Sequence, residues 1–245
     1  MAVYCATDLH GNYNLWKQIQ NYLKENDTLF YLGDAMDRGD RGFEIYLEML
    51  NDKRVIYLLG NHEVLMYSSL LAKYPSASKD WYKNGGNVTA LNVNEVREKN
   101  NWDFFNDIVP LVKKVAEMEF LMSYTNANGI TFYLSHAGFT PNNIFFNLDI
   151  FEQEQLLTWD RKHFSNIWPE EFKDCVVIHG HTPVQYLRLK YNPRDVIDQN
   201  EINNPYLVYA GGHKICLDGG IILSGEIALW NLDTNKLEKI FKKEE

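Results

Sequence analysis

The sequence lacks any apolar run approaching the ~20 residues that a membrane-spanning helix needs. Its first residues, Met1–Gly11, contain no basic stretch that leads into a long apolar run, as a secretory signal would. Repeats, low-complexity segments and linkers are also missing. These absences predict a soluble, cytoplasmic protein with one domain over residues 1–245, formed by a core at 1–232 and a charged C-terminal tail at 233–245. They leave the oligomeric state open.

Cysteine is scarce, with three residues in the whole chain: Cys5, Cys175 and Cys216. Each lies in or beside an apolar run and has no cysteine close to it in sequence. This spacing excludes a zinc ribbon and a Cys-x-x-Cys redox pair. We expect all three to be small buried side chains in a reducing compartment.

Basic residues are outnumbered, with 24 Lys and Arg against 33 Asp and Glu, a net charge of −9 and a pI of about 5.3. Such a chain gains nothing from counterion release, so long nucleic acids are not expected partners. It has no polybasic patch for a membrane surface. A phosphate-bearing substrate is still compatible, because bound metal ions reverse the charge locally.

What the sequence does contain is a series of short apolar runs rich in β-branched and aromatic residues. Their nearly continuous hydrophobicity predicts strands that are covered on both faces. They are AVYCAT from Ala2, TLFYLG from Thr28, VIYLLG from Val55, ITFYLS from Ile130 and CVVIHG from Cys175. A further segment, GIILSGEIALWNL from Gly220, has a Ser-Gly break and predicts a hairpin.

Helical patterns fill the gaps between the first runs and predict an α/β fold with parallel strands joined by helices. Two amphipathic stripes are Leu15, Ile19, Tyr22 and Leu23, and Phe43, Tyr46, Leu47 and Leu50. A third helix is expected from Glu63 to Lys73. We expect Asn142–Phe172 to form helices and loops over the sheet, and Tyr191–Lys214 to be a long loop or irregular hairpin.

Each of the five apolar runs stops at residues that bind metal ions. They are followed, in chain order, by Asp8 and His10, by Asp34, by Asn61 and His62, by His136, and by His179 and His181. Carboxyl ends of parallel strands line one crevice, so these side chains converge if the strands share an orientation. One Asp-x-His pair alone is equally typical of a helix cap. Five such coincidences in order favour a metal centre.

The donor set fits two divalent cations. Asp8 and His10 are assigned to one ion, and Asn61, His136 and His181 to the other, with Asp34 as the bridge. Such centres hold ions ~3.5–4 Å apart, clamp an in-line displacement at phosphorus and supply a hydroxide nucleophile at neutral pH. Imidazole and oxygen ligands without thiolate favour Mn²⁺, with Fe²⁺ or Zn²⁺ as alternatives.

The segment YLGDAMDRGD places two more chemical groups beside Asp34. Arg38 offers planar donors that match phosphoryl oxygens. Asp37 is in position to orient His62, whose imidazolium would protonate the leaving alkoxide. For Asp37 and Arg38 the competing interpretation is a surface ion pair.

These motifs resemble those of the phosphoprotein phosphatase branch of the metallophosphoesterases, whose members include small bacterial and phage serine/threonine phosphatases. The matching segments are TDLHG, GDAMDRG, GNHE, LSHAG and HGHTP, together with WYKNGG and LLTWDRK. The resemblance, which runs from Ala2 to Leu232, implies a four-layer α/β/β/α sandwich of the calcineurin-like type. It implies the same metal ligands, His62 as the acid paired with Asp37, and Arg38, Arg161 and Asn61 as phosphate-binding groups.

The sequence departs from the family pattern at a few positions. Thr7 replaces a glycine, which should cost little because only the backbone turns there. Leu59 replaces an arginine, so one basic contact is expected to be missing. Tyr191–Lys214 is longer than the corresponding connection. His163, His179 and His213 match no motif position and are expected to be solvent-facing or to support the ligands.

The leading functional hypothesis is hydrolysis of phosphoserine and phosphothreonine, with phosphotyrosine and small phosphoesters also possible. The first alternative is a symmetrical dinucleoside tetraphosphatase, against which Asp37 and Glu63 argue. A cyclic phosphodiesterase or nuclease uses the same metal chemistry. An inactive, metal-stabilised binding module is the third alternative, although His62, Arg38 and Arg161 are all retained.

Overall fold

The computed structural model describes residues 1–197 and 204–243, and in these residues the strands form two five-stranded sheets. The strands are β1 (Val3–Ala6), β2 (Thr28–Tyr31), β3 (Val55–Tyr57), β4 (Met122–Thr125), β5 (Thr131–Leu134), β6 (Cys175–His179), β7 (Leu207–Tyr209), β8 (Lys214–Cys216), β9 (Glu226–Asn231) and β10 (Lys236–Lys242). The first sheet has the order β10–β9–β1–β2–β3 and the second β4–β5–β6–β8–β7. In each sheet three adjacent strands are parallel, β1–β2–β3 and β5–β6–β8.

Helices fill the connections. They are α1 (Tyr13–Tyr22), α2 (Gly42–Asn51), α3 (Asn61–Leu70), α4 (Ala77–Lys83), α5 (Gly86–Asn100), α6 (Val109–Lys113), α7 (Asn143–Phe146), α8 (Ile150–Trp159), α9 (Val184–Tyr186) and α10 (Ile221–Ser224). Short 3₁₀ or π-helical turns occupy Phe104–Ile108, Lys114–Glu117, Glu170–Phe172, Leu187–Tyr191 and Ala210–Gly212. Among the described helices, none combines the length and apolar character that crossing a membrane requires.

Four layers follow from how the strands alternate their side chains. In β1, Tyr4 and Ala6 pack against α1 and α2, whereas Val3 and Cys5 face the second sheet. On the far side of the second sheet, Val177 of β6 packs against α7 and α8. Helices therefore cover the outer face of each sheet, and the predicted α/β/β/α sandwich is confirmed.

The predicted elements can be compared with the observed ones. The five apolar runs form β1, β2, β3, β5 and β6, and the predicted helices are α1, α2 and α3, the last beginning at Asn61 and ending at Leu70. Asn142–Phe172 contains α7 and α8, as expected. All three cysteines are free; Cys5 and Cys216 are buried and Cys175 is half-buried.

Two expectations for the C-terminal part are wrong. The segment from Gly220 is not a hairpin, because its first half is α10 and only its second half is a strand, β9. The hairpin partner of β9 is β10, inside the segment expected to be a charged tail. The strand was not recognised because charged residues interrupt its apolar ones: Phe241 is buried, whereas Glu238 and Lys239 are exposed. In Tyr191–Lys214 the described part contains β7, which pairs with β8; residues 198–203 lie outside the described chain.

Phe241 tests whether β10 is a structural part of the sandwich. Its ring is 3% exposed and packs in the core beneath α1. We expect Phe241→Ala to lower the free energy of unfolding by about 3 kcal/mol in chemical denaturation, because a buried ring is lost. Lys236→Ala, an exposed position on the same strand, is the control. Equal stability of the two variants would show that β10 contributes no packing.

Candidate functional site

Residues that follow strands of both sheets meet at one edge of the sandwich. The first sheet supplies Asp8 and His10 after β1, Asp34 after β2 and Asn61 after β3; the second supplies His136 after β5 and His181 after β6. All six are buried, with at most 7% of the residue surface exposed. The expected convergence is therefore present, although it joins two sheets and not the strands of one.

Asp34 is the centre of this cluster. Its Oδ2 atom is 3.3 Å from His136 Nε2, 3.7 Å from His62 Nε2 and 3.8 Å from His10 Nε2. Two groups able to hold a metal ion share this carboxylate, His10–Asp34–His62 and Asp34–His136–His181. The position of Asp34 suits the bridging role predicted for it.

The second group brings three potential ligand atoms close together. His136 Nδ1 donates to the carbonyl of Leu32 at 2.8 Å, which aims Nε2 at Asn61 Oδ1, 2.9 Å away. His181 Nδ1 lies 2.9 Å from the same amide oxygen and 3.2 Å from His136 Nε2. Burial lowers the pKa of His136, but Asp34 outweighs it and raises that pKa to about 9. The cluster thus holds a positive charge tightly, and a divalent cation would supply one.

The first group contains His62, the predicted acid, and does not contain Asp8, the carboxylate predicted to bind the same ion as His10. His10 Nδ1 donates to the carbonyl of Met36 at 3.0 Å, so Nε2 is the atom that could bind an ion; Arg38 Nη1 donates to it in this structure. Asp8 Oδ1 lies 3.7 Å from that Nε2, and it is buried without a hydrogen-bond partner among the described residues. A buried carboxylate oxygen left unpaired is costly unless a cation occupies the space beside it. The donor sets therefore fit two divalent ions.

The other oxygen of Asp8 is held by the protein. Oδ2 accepts from the Thr7 hydroxyl at 2.6 Å and from the His181 backbone N–H at 3.1 Å. The expectation that Thr7 acts only through its backbone is therefore incomplete, because its hydroxyl orients the carboxylate. Leu59, the other departure, is buried in the core beneath α2 and α3.

Several site residues have a strained backbone. Left-handed φ values are found at Asp8 (58°), His10 (43°), Asp34 (59°), Asp37 (68°), Arg38 (69°) and His181 (66°). Such conformations cost about 1–3 kcal/mol each in residues other than glycine, and persist only where the surroundings enforce them. The strain turns the chain sharply at the strand ends and aims consecutive side chains into one site.

Glu63 is a supporting residue whose structural role sequence reasoning missed. Its buried carboxylate accepts from the backbone N–H groups of Asp34 (2.8 Å), Ala35 (3.0 Å) and Gly60 (3.0 Å), and from the Tyr57 hydroxyl (2.7 Å). It thereby ties the loop after β2 to the loop after β3. The signal was a glutamate three residues after Gly60 at the start of a helix, where it closes a capping box.

Glycine is required where these two loops touch. A Cβ on Gly33 would lie 2.5 Å from the backbone of Gly60, and one on Gly60 would lie 2.4 Å from Asp34 Oδ1. The glycines of the GD and GN segments therefore allow the backbones of the two loops to approach closely enough for Asp34 and Asn61 to reach the same site.

His62 and Asp37 form the predicted pair. His62 Nδ1 donates to Asp37 Oδ2 at 2.7 Å, and both residues are buried. The indole N–H of Trp81 lies 3.0 and 2.9 Å from the two Asp37 oxygens. A Cβ on Gly86 would lie 2.2 Å from this indole nitrogen. The WYKNGG segment thus places a donor against Asp37, a role that no spacing rule could indicate.

Two exposed arginines lie beside the buried ligands. Arg38 donates from Nη1 to His10 Nε2 at 2.8 Å and approaches His62 Nε2 with Nη2 at 3.2 Å. Arg161 donates from Nε to the Thr182 hydroxyl at 3.0 Å. Both line a cavity of about 460 Å³. Their guanidinium groups are accessible to an anion, as a phosphate-binding role requires.

The segment that carries Arg161 is anchored by a buried lysine. Lys214 Nζ donates to the Thr140 hydroxyl (2.7 Å), the His163 carbonyl (2.7 Å) and His163 Nδ1 (3.1 Å), and burial lowers its pKa to about 7. His163 and His179 are both buried, so the solvent-facing alternative predicted for them is wrong. His213 is half-buried and stacks on Trp168.

Asp218 is a further buried carboxylate that the sequence analysis did not select. It follows β8 and lines the same cavity, and burial raises its pKa to about 6. Its signal was the same as for the other sites, an apolar run that ends in Asp. It was missed because β8 is only three residues long and was not recognised as a strand, its first residue being the last of the predicted loop.

Comparisons with known proteins agree with this geometry. The family model for calcineurin-like phosphoesterases matches residues 1–217. Curated protein sequences give no significant match. The fold is similar to that of a candidate diadenosine tetraphosphatase, with 13% sequence identity and a TM-score of 0.62 over 98% of this chain and 92% of that chain. It is also similar to a serine/threonine phosphatase from Saccharomyces cerevisiae, with 13% identity and a TM-score of 0.56 over 100% of this chain and 81% of that chain. A cold-active protein-tyrosine phosphatase from Shewanella has 16% identity and a TM-score of 0.53 over 96% of this chain and 76% of that chain. These similarities show the fold alone.

Metal binding tests the assignment of the ligands. We expect calorimetry to detect two Mn²⁺ ions per chain, bound with proton release because the raised pKa of His136 keeps it protonated in the ion-free protein. Asp34→Asn should weaken both sites by at least about 100-fold, more than the loss of an outer-shell partner costs. Asp8→Asn should weaken one site only.

The control for the metal experiment is Asp80→Asn, which removes a carboxylate whose side chain bonds Ser76 away from the ligand cluster. This variant should bind both ions normally. The bridging role of Asp34 would be wrong if Asp34→Asn retained one site at full affinity.

Proposed function

Because this chain belongs to the calcineurin-like phosphoesterase family, we propose that it is a phosphoprotein phosphatase that hydrolyses phosphoserine and phosphothreonine, and also accepts phosphotyrosine and small phosphoesters. The observation that carries this proposal is the meeting of three sets of groups at one cavity. These are the buried donors around Asp34, of which His10 and His181 line the cavity, the adjoining His62–Asp37 pair, and two accessible arginines.

Asp8, His10 and Asp34 would hold one ion, and Asp34, Asn61, His136 and His181 would hold the other. Mn²⁺ is the proposed ion, because the donors are imidazole, amide and carboxylate without thiolate. When bound, two such ions neutralise phosphoryl oxygens and lower the pKa of water so that it can attack phosphorus. The chain itself supplies the remaining groups, for the leaving oxygen and for the outer phosphate oxygens.

His62 is the proposed general acid. Burial lowers its pKa, but the charges of Asp34 and Asp37 outweigh burial and leave the pKa above the ordinary 6.5. Asp37 accepts a hydrogen bond from the Nδ1–H group of His62, which orients the ring so that Nε2 faces the site. His62 can then give its Nε2 proton to the alkoxide that departs from phosphorus. Trp81 keeps Asp37 in the orientation that this transfer needs.

Arg38 and Arg161 are the proposed phosphate clamp. They come from opposite halves of the sandwich, after β2 and after α8, and both reach the cavity. Planar guanidinium groups stabilise the charge on phosphoryl oxygens through paired hydrogen bonds. Asn61 Oδ1 lies 2.9 Å from both His136 Nε2 and His181 Nδ1, which supports its proposed role as a metal ligand, and we propose a phosphate contact for it as well.

A symmetrical dinucleoside tetraphosphatase is the second candidate, favoured by the similarity of the fold to a candidate enzyme of that kind. Asp37 and Glu63 argue for the phosphatase branch, since both belong to the motifs of that branch and both have defined contacts here. A cyclic phosphodiesterase would use the same metal ligands.

The proposed activity is tested with Mn²⁺-loaded protein and three substrates: a phosphoserine peptide, diadenosine tetraphosphate and a cyclic nucleotide. We expect the phosphopeptide to have the highest kcat/KM. His62→Asn should lower kcat by ~10²–10⁴-fold, the usual contribution of a general acid. Faster cleavage of diadenosine tetraphosphate would replace the proposal by the second candidate.

The acid role of His62 has a pH signature. An acid acts only while protonated, so kcat should fall as the pH rises through the raised pKa of His62. Trp81→Phe removes a donor from Asp37 and should reduce kcat with little change in KM, whereas Asp37→Asn should also move the alkaline limb to lower pH. Tyr82→Phe, on an exposed neighbour, is the control. If Asp37→Asn left the alkaline limb of the kcat profile at its wild-type pH, the assignment of His62 as an acid paired with Asp37 would be wrong.

A further inference from the structure

The cavity beside the two arginines has an apolar side that the phosphate chemistry does not use. Its polar lining consists of Arg38, Arg161, His10, His181, Thr182 and Asp218, with Lys190 at the edge of the apolar side, where its Nζ lies 4.9 Å from the centre of the Tyr186 ring. Its apolar lining comes from α9 with the turn that follows it and from α10: Tyr186, Tyr191, Ile221, Ile222 and Leu223. We call this apolar part the leaving-group chamber. Cavities of this volume, about 460 Å³, are typical of sites for small molecules and side chains.

The two walls of the chamber are tied to each other. The backbone N–H of Val184 donates to the Asp218 carbonyl at 2.9 Å, and Gln185 Nε2 donates to the Gly219 carbonyl at 2.9 Å. Gly220 has a left-handed φ of 62°, and a Cβ there would lie 2.6 Å from Gln185 Oε1. The close approach of α9 and α10 is therefore built into the fold, and the chamber is formed before any ligand arrives.

Large apolar side chains are exposed here. Ile222 is 61% exposed and Leu223 is 68% exposed, although both line the cavity that holds the phosphate-binding arginines. Exposed apolar side chains that adjoin a polar site are typical of a binding surface. A phosphate held by Arg38 and Arg161 would have its ester substituent in the same cavity as these side chains.

We propose that the leaving-group chamber receives the alcohol portion of the substrate and selects phosphomonoesters of aromatic alcohols, either phosphotyrosine or a small aryl phosphate. This inference rests on the proposed phosphomonoesterase activity and, among the esters hydrolysed, ranks aryl phosphates above phosphoserine and phosphothreonine. A serine side chain would leave most of the chamber filled with water. An aromatic ring buries apolar surface against Ile222 and Leu223 and can pack on the rings of Tyr186 and Tyr191.

The test compares four phosphomonoesters: a phosphotyrosine peptide, the matched phosphoserine peptide, 2-naphthyl phosphate and glycerol 2-phosphate. The double variant Ile222→Asn/Leu223→Asn removes the exposed apolar wall. The control is Leu189→Asn, since Leu189 is 85% exposed in the turn after α9 and, in the described part of the chain, is not a lining residue. Aryl esters are intrinsically more reactive, so each substrate is compared only between variant and wild type.

We expect the double variant to lose ~10-fold in kcat/KM on aryl substrates, as for lost contacts in an apolar pocket. It should lose less than about twofold on the phosphoserine peptide and glycerol 2-phosphate, and Leu189→Asn should behave as wild type. A loss limited to the phosphotyrosine peptide identifies a protein substrate, and one limited to 2-naphthyl phosphate identifies a small molecule. An equal loss on all four substrates, or on both peptides only, would overturn the proposal.

Binding without turnover separates this inference from the proposed function. Calorimetry with benzylphosphonate and methylphosphonate should show ~10-fold tighter binding of the aromatic compound by the wild type, and no preference in the double variant. If no phosphomonoester is hydrolysed but this preference holds, the proposed function fails and the chamber stands. Equal binding of the two phosphonates by the wild type would refute the chamber.

Discussion

A demand for positive charge at one buried point organises this protein. Asp34 faces three imidazole groups within 3.8 Å, and next to it Asn61 Oδ1 and ring nitrogens of His136 and His181 lie within 3.2 Å of one another. Without ions a proton on His136 meets part of that demand, and the unpaired oxygen of Asp8 remains. Such a cluster destabilises an ion-free fold and has no structural advantage over apolar packing. Divalent cations bound to these donors would neutralise the carboxylates and so offset the cost of burying them.

The rest of the site holds this unfavourable cluster together. Glu63 satisfies backbone groups of two loops at once, and Trp81 donates to Asp37 from outside the ligand cluster. Left-handed backbone at consecutive functional residues adds strain that these contacts must offset. In the proposed mechanism this rigidity has a chemical purpose, because the metal ligands and the acid must already be in place when the phosphate binds.

Much of this arrangement could be predicted from the sequence, because five of the strands are distinct apolar runs and each is followed by a polar side chain of the cluster. That rule located Asp8, Asp34, Asn61, His136 and His181 before their positions were known. It failed for β10, because that strand alternates lysine and glutamate with apolar residues such as Phe241. It also failed for β8, which is only three residues long, so Asp218 after it was overlooked. Pairwise contacts such as Trp81 with Asp37 depend on tertiary packing, and sequence spacing does not encode them.

The assembly of the site from both sheets has a mechanical consequence. Asp8, His10, Asp34, Asn61 and Arg38 follow strands of one sheet, whereas His136, Arg161 and His181 lie in segments of the other. A small slip between the two halves would pull the metal ligands and the arginine pair apart in the same movement. Neither half alone carries a complete set of site residues, so the site exists only while the two sheets stay packed together.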